Sequence, residues 1–169
     1  MSTHLDTTIQ ALQERFGAQP SEFRDQKRVV VAPEYVTALA TAMRDDYGFE
    51  VVMDITTVDY WPQLSPRFHL IYNFLSIEHH CRLLVRVPVD EETVVESISG
   101  IYANTNWSER EQFDMFGIQF ANHPDLRRIL MPFDWQGHPL RKDYPLGYEE
   151  VQFSFNHDEI DARKPYAKE

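Results

Sequence analysis

Apolar residues recur at Leu5, Ile9, Leu12 and Phe16, a helical spacing that predicts an amphipathic helix over residues 3–16, with Gly17 as its C-terminal stop. The short apolar run "KRVVVA" (27–32) reads as a strand. Pro33 suits the first turn of a helix that carries Val36, Leu39, Ala40, Met43 and Tyr47 and closes at Gly48. "FEVVMDITTVDY" (49–60) is β-branched and predicts a second strand. Phe68, Leu70, Tyr72 and Phe74 then alternate with more polar neighbours. Cys81, Leu83, Val85 and Val87 do the same, with His80, Arg82 and Arg86 directed away. This period of two predicts a half-buried antiparallel pair joined through "SIEHH". Asp90 is a candidate cap for a helix holding Val94, Val95, Ile98 and Ile101. Asn106, with Glu109 three residues on, is a candidate cap for a helix over "WSEREQFDMF", ended by Gly117.

Periodicity stops at residue 118, and prolines follow at 124, 132, 139, 145 and 165. The expected fold is therefore α+β: a mixed, largely antiparallel sheet with packed helices over residues 1–117, then a long irregular C-terminal tail over 118–169. A run of that length far exceeds ordinary loops. Its Ile118, Phe120, Leu126, Ile129, Leu130, Met131, Phe133, Trp135, Leu140 and Tyr144 are too apolar for a solvated linker. Either the tail folds back over its own sheet or a partner covers it; the residue pattern leaves both open.

Charge adds to the partner reading. The chain of 169 residues has a net charge of −11. Between 117 and 148, Arg127, Arg128, Arg141 and Lys142 outnumber Asp125, Asp134 and Asp143. Arginine and aromatic residues together favour protein interfaces. The acidic whole argues against a nucleic-acid backbone as ligand. The single cysteine, Cys81, excludes an internal disulfide framework and a self-contained iron–sulfur cluster. Cys81 falls on the inward face of its strand, as a small buried hydrophobe. No apolar run approaches the ~20 residues that span a bilayer. The first residues lack a secretory pattern. A soluble or peripheral protein on the cytoplasmic side is expected.

Candidate chemistry is sparse. Glu109, Glu111, Asp114 and His123 lie within one short stretch and could serve as acid–base groups or metal ligands. Helical spacing offers a plainer reading: a cap, an Arg110–Asp114 ion pair and an acidic face. His79 and His80 are adjacent on a strand turn and point to opposite faces, which disfavours a shared metal. Neither G-x-G-x-x-G nor a Walker A pattern occurs.

The stretch "EREQFDMFGIQFANHPDLRRILMPFDWQGHPLRKDYPL" (109–146) resembles the signature of the 30-kDa subunit of respiratory complex I, the C subunit of the bacterial NADH:quinone oxidoreductase. The match rests on Glu109, Arg110, Glu111, Asp114, Met115, Phe116, His123, Arg127, Ile129 and Leu130, followed by "GHPLRKDYPL". It extends more weakly to the N-terminal domain and to "GYEEVQF" (147–153), and the photosynthetic complex I equivalent shares it. The resemblance implies a cofactor-free subunit of the hydrophilic arm, peripheral to the membrane. Iron–sulfur clusters, FMN and quinone would be bound by other subunits of a proton-translocating enzyme. It further implies that the C-terminal segment wraps a hydrogenase-like large subunit and meets neighbouring iron–sulfur subunits. Glu109, Arg110, Glu111, Asp114, His123, Arg127, Arg128, Trp135, Arg141, Lys142, Asp143 and Tyr144 would be partner-binding. The alternatives are a stand-alone hydrolase or metal enzyme using Glu111, Asp114 and His123, and an assembly factor absent from the mature complex.

Overall fold

The computed structural model describes residues 2–145, 155 and 157–163. The first helix, α1 (Ser2–Phe16), ends where expected. Gly17 takes φ 63° and donates its N–H to the Gln13 carbonyl. A hairpin follows, the exposed β1 (Gln19–Phe23) and the partly buried β2 (Gln26–Val30), turned by Arg24 and Asp25 at positive φ. Pro33–Tyr35 forms a 3-10 turn that leads into α2 (Val36–Asp45). Three nine-residue strands come next: β3 (Val51–Asp59), β4 (Phe68–Ser76) and β5 (Cys81–Val89). Then come β6 (Val94–Glu96), α3 (Thr105–Phe116), β7 (Gln119–Ala121) and, after the irregular stretch, α4 (His157–Arg163).

The main sheet has the order β1-β2-β5-β4-β3. All its pairs are antiparallel except β2 with β5. β6 and β7 form a separate parallel pair joined through α3. The fold is the α+β arrangement that the sequence predicts. The alternation in β4 and β5 is realised in full: Phe68, Leu70, Tyr72, Phe74, Leu83, Val85 and Val87 are buried. They pack with Leu12 of α1, Leu39 and Met43 of α2, and Phe116 of α3 in one core. All three helices cover the same face of the sheet, because the single apolar set of a period-2 strand can be buried on one side only.

Three local expectations are corrected. Residues 90–101 do not form a helix. Val94–Glu96 is a strand paired in parallel with Gln119–Ala121, and turns follow it. The apolar spacing of Val94, Val95, Ile98 and Ile101 fits a helical face, but the pairing with β7, some 25 residues away, prevails over that local pattern. Asn106 is not the cap of α3. Thr105 is already helical, and Asn104 precedes it with no side-chain bond to the helix amides. Instead Asn104 donates to the Val52 carbonyl, and Gln112 to the Ile55 carbonyl, along the outer edge of β3. α3 therefore closes that edge of the sheet. Cys81 is half-buried against the core.

Candidate docking site

The irregular residues after β7 are held by the C-terminal end of α3. A helix leaves its last carbonyls without internal partners. Here the Asp114 carbonyl accepts from Arg128 (3.2 Å) and from His138 Nδ1 (3.0 Å). The Met115 carbonyl accepts from the Leu140 N–H (3.1 Å), and the Phe116 carbonyl from Arg141 Nε (2.6 Å). Two arginines at a helix C-terminus also complement its dipole. Gly117 makes the approach possible. It sits at φ 78°, and a Cβ there would lie 2.6 Å from His138 Nε2.

Asp114 is the centre of this arrangement. Its side chain is fully buried. Oδ2 accepts three consecutive amides, those of Ile129 (3.0 Å), Leu130 (2.7 Å) and Met131 (2.9 Å), while Oδ1 accepts from Arg128 (2.6 Å). Burial raises its pKa, but the bonds from Met131, Arg128, Leu130 and Ile129 together outweigh it and hold the carboxyl below its usual range. Arg128 continues outward to the carbonyls of Trp135 (3.0 Å) and Gly137 (2.9 Å). The expected Arg110–Asp114 pair is absent because Asp114 faces inward. Arg110 donates instead to the carbonyls of Arg127 and Arg128 and lies over the Trp107 ring.

A second anchor was not legible in the sequence. Arg67, only 2% exposed, has its guanidinium against Asp59, Glu91 and Asp143. Burial opposes its charge, yet the bonds it donates to Asp143, Asp59 and Glu91 prevail and raise its pKa. Asp59 also accepts the Lys142 N–H (2.9 Å), and Arg141 reaches Glu91 (3.2 Å). Residues 141–143 are thereby fixed to the ends of β3 and β4. Among the described residues, Arg127 pairs with Asp125, Arg128 with Asp114 and Arg141 with Glu91. The Tyr144 phenol reaches only the Gln136 carbonyl, at 3.5 Å. Of the two readings of the tail, folding back on its own domain describes residues 118–145. The stretch 147–153 lies outside the described residues.

The acids of the "ERE" stretch separate. Glu111 is exposed, but Glu109 is fully buried, which corrects the expected acidic face. Its carboxyl accepts from the Ser97 hydroxyl (2.5 Å) and the Ile98 N–H (2.8 Å). Burial pushes its pKa up to about 7 against those two bonds. His123 lies 3.7 Å from Glu109. Its Nδ1 accepts the Asp125 N–H (3.1 Å), so the ring proton sits on Nε2, beside the Asn106 carbonyl (3.2 Å). Glu111, Asp114 and His123 are thus not assembled as a catalytic set. No group of three or more His, Cys, Asp or Glu able to hold a metal occurs among the described residues.

The segment offers large apolar side chains outward, among exposed polar ones such as Asp134, Gln136 and Lys142. Leu130 (62%), Phe133 (79%) and Leu140 (54%) are exposed, as is Trp107 (61%) on α3. Trp135 is half-buried, with its Nε1 unpartnered.

Fold and site define an α+β domain whose buried acids and arginines hold in place one irregular segment with exposed apolar side chains. The family described as respiratory-chain NADH dehydrogenase, 30 Kd subunit, matches residues 29–150. The chain is 48% identical over 152 residues to the C subunit of the NADH-quinone oxidoreductase of Roseiflexus sp. (strain RS-1), covering 88% of this chain and 87% of the relative. It is 46% identical over 133 residues to the NADH-ubiquinone oxidoreductase subunit 9 of Prototheca wickerhamii, covering 77% and 69%. In fold it resembles a chain from the membrane-bound sulfane sulfur reductase, an archaeal respiratory membrane complex, with TM-score 0.72 and 18% identity over 98% of this chain and 95% of that one. The chain belongs to the family of the 30-kDa subunit of respiratory-chain NADH dehydrogenase.

Proposed function

We propose that this chain is a cofactor-free structural subunit in the hydrophilic arm of a proton-translocating NADH:quinone oxidoreductase. Membership of the 30-kDa subunit family supports the enzyme. The observation that carries the structural role is the braced segment 128–143, which presents exposed apolar side chains on a fixed backbone. A preformed apolar surface loses little conformational freedom on association. The segment docks on the hydrogenase-like large subunit, beside subunits that hold the iron–sulfur clusters, FMN and quinone. The chain sits peripherally on the cytoplasmic side; no described helix is long and apolar enough to cross a membrane.

Affinity purification through this chain from its own membranes tests the reading. The expected result is recovery of iron–sulfur proteins and NADH:quinone reductase activity, with the chain in stoichiometric amount. The chain alone should show neither activity nor visible absorption. A stoichiometric chromophore or metal on the isolated chain, or hydrolytic activity from it, would overturn the proposal. Substoichiometric recovery would favour an assembly factor.

A further inference from the structure

The face of the main sheet opposite the helices carries no described element. Its strand residues are Gln19, Ser21 and Phe23 of β1, Gln26, Arg28 and Val30 of β2, Arg82, Leu84, Arg86 and Pro88 of β5, with His69, Ile71, Asn73 and Leu75 of β4 and Asp54, Thr56 and Val58 of β3. All are at least partly exposed. Arg28 stands beside Leu84, Val30 beside Arg86, and Leu75 beside Arg82, so arginines and aliphatic side chains interleave across three strands.

In a chain with 27 acids against 16 Lys and Arg, this face holds three arginines and one acid, Asp54, which accepts from Asn73. Among the described residues no carboxylate pairs with Arg28, Arg82 or Arg86. Arg28 lies over the Phe23 ring, and Arg86 over Tyr60, whose hydroxyl it reaches. The Nε atoms of Arg28 and Arg86 and Nδ1 of His69 are shielded from solvent without a hydrogen-bond partner. Burial and the charge of Arg86 lower the pKa of His69. Shielded donors of this kind call for acceptors.

We propose that this helix-free sheet face is a second docking surface, occupied by an acidic, partly apolar surface of a neighbouring protein subunit. The proposal rests on the subunit reading above and adds a contact separate from the braced segment. Arginine is enriched at protein interfaces, and the aliphatic side chains between the guanidinium groups supply apolar area to bury. Carboxylates supply the charge-assisted partners that the guanidinium groups lack within the chain. An anionic lipid surface fits less well, because a protein of net charge −11 is repelled by it as a whole.

The test uses the full-length tagged chain in its own complex. Leu84 is replaced by p-benzoyl-L-phenylalanine, membranes are irradiated, and cross-linked peptides are sequenced. The expected product joins residue 84 to an acidic stretch of another subunit. In parallel, Arg82→Glu should lower the yield of that cross-link about tenfold and Arg82→Lys should preserve it, with both variants melting as the parent does. A cross-link from residue 84 to this chain's own residues 146–169, to a second copy, to lipid or to a non-acidic surface would overturn the proposal, as would none in the intact complex. If the tagged chain recovers no complex at all, it is the subunit reading that fails.

Discussion

Glu109 shows how one residue can hold a pH dependence. A carboxylate in water titrates near 4.3, whereas burial moves this one to about 7. Its two hydrogen bonds are from the neutral groups of Ser97 and Ile98. A raised pKa means that the folded state binds the proton more tightly. The contribution to stability is complete below the unfolded pKa and is lost as pH rises through about 7. Glu109→Gln keeps most of the hydrogen-bonding capacity and removes the buried charge. It should stabilise the chain relative to the parent at pH 8, by up to about 3 kcal/mol, with the difference shrinking towards pH 5. His138, whose pKa burial lowers, acts in the opposite direction over part of this window. The measurement is therefore the difference in melting temperature between variant and parent at each pH. A constant difference from pH 5 to 8 would show that Glu109 does not titrate there.

At the scale of elements, the end of α3 and residues 128–141 form one unit. Arg128→Ala strands the Asp114 charge in a buried site and should cost about 3–5 kcal/mol. Arg127→Ala removes a solvent-exposed pair with Asp125 and should leave the stability nearly unchanged. Limited trypsin digestion of the free chain gives the readout. The parent and Arg127→Ala should resist cleavage after Arg141 and Lys142, while Arg128→Ala should be cut there readily. Equal resistance in all three would mean that Asp114 is not what holds the segment. The sequence made the helix α1 and the alternating strands β4 and β5 legible, because their apolar periods match their own geometry, and Gly117 marked the end of α3. It did not reveal β1, whose "QPSEF" is wholly exposed and interrupted by Pro20. Nor did it reveal β6, whose partner lies beyond a helix. Asp114 is legible as a paired aspartate, but with Arg110 and not Arg128 as its partner; the contacts of Arg128 and Arg141 within the chain are not marked in the sequence. An inward aspartate that gathers three amides from a later loop has no signature in helical spacing, and Arg67 stands between two apolar neighbourhoods with nothing to mark its three carboxylates.

At the scale of the whole molecule, bracing and presentation are separable. The groups that hold the segment, Asp114, Arg128, Arg67 and Asp143, are not its most exposed ones. Leu130, Phe133 and Leu140 expose more than half of their surface and contribute correspondingly little to the core. Burying such a side chain in a partner is worth roughly 1.5–3 kcal/mol. Together, Leu130→Ser and Phe133→Ser should thus leave the melting temperature of the isolated chain within about 4 °C of the parent, since each surface substitution usually stays within ±0.5 kcal/mol. In membranes the same double variant should lower the amount of assembled complex and its NADH:quinone reductase activity in proportion, without changing the activity of each assembled enzyme. The two measurements bear on different statements. A large loss of melting temperature would mean that these side chains support the fold. An unchanged melting temperature with normal assembly would remove the braced segment as a docking surface and leave the helix-free sheet face as the contact to examine.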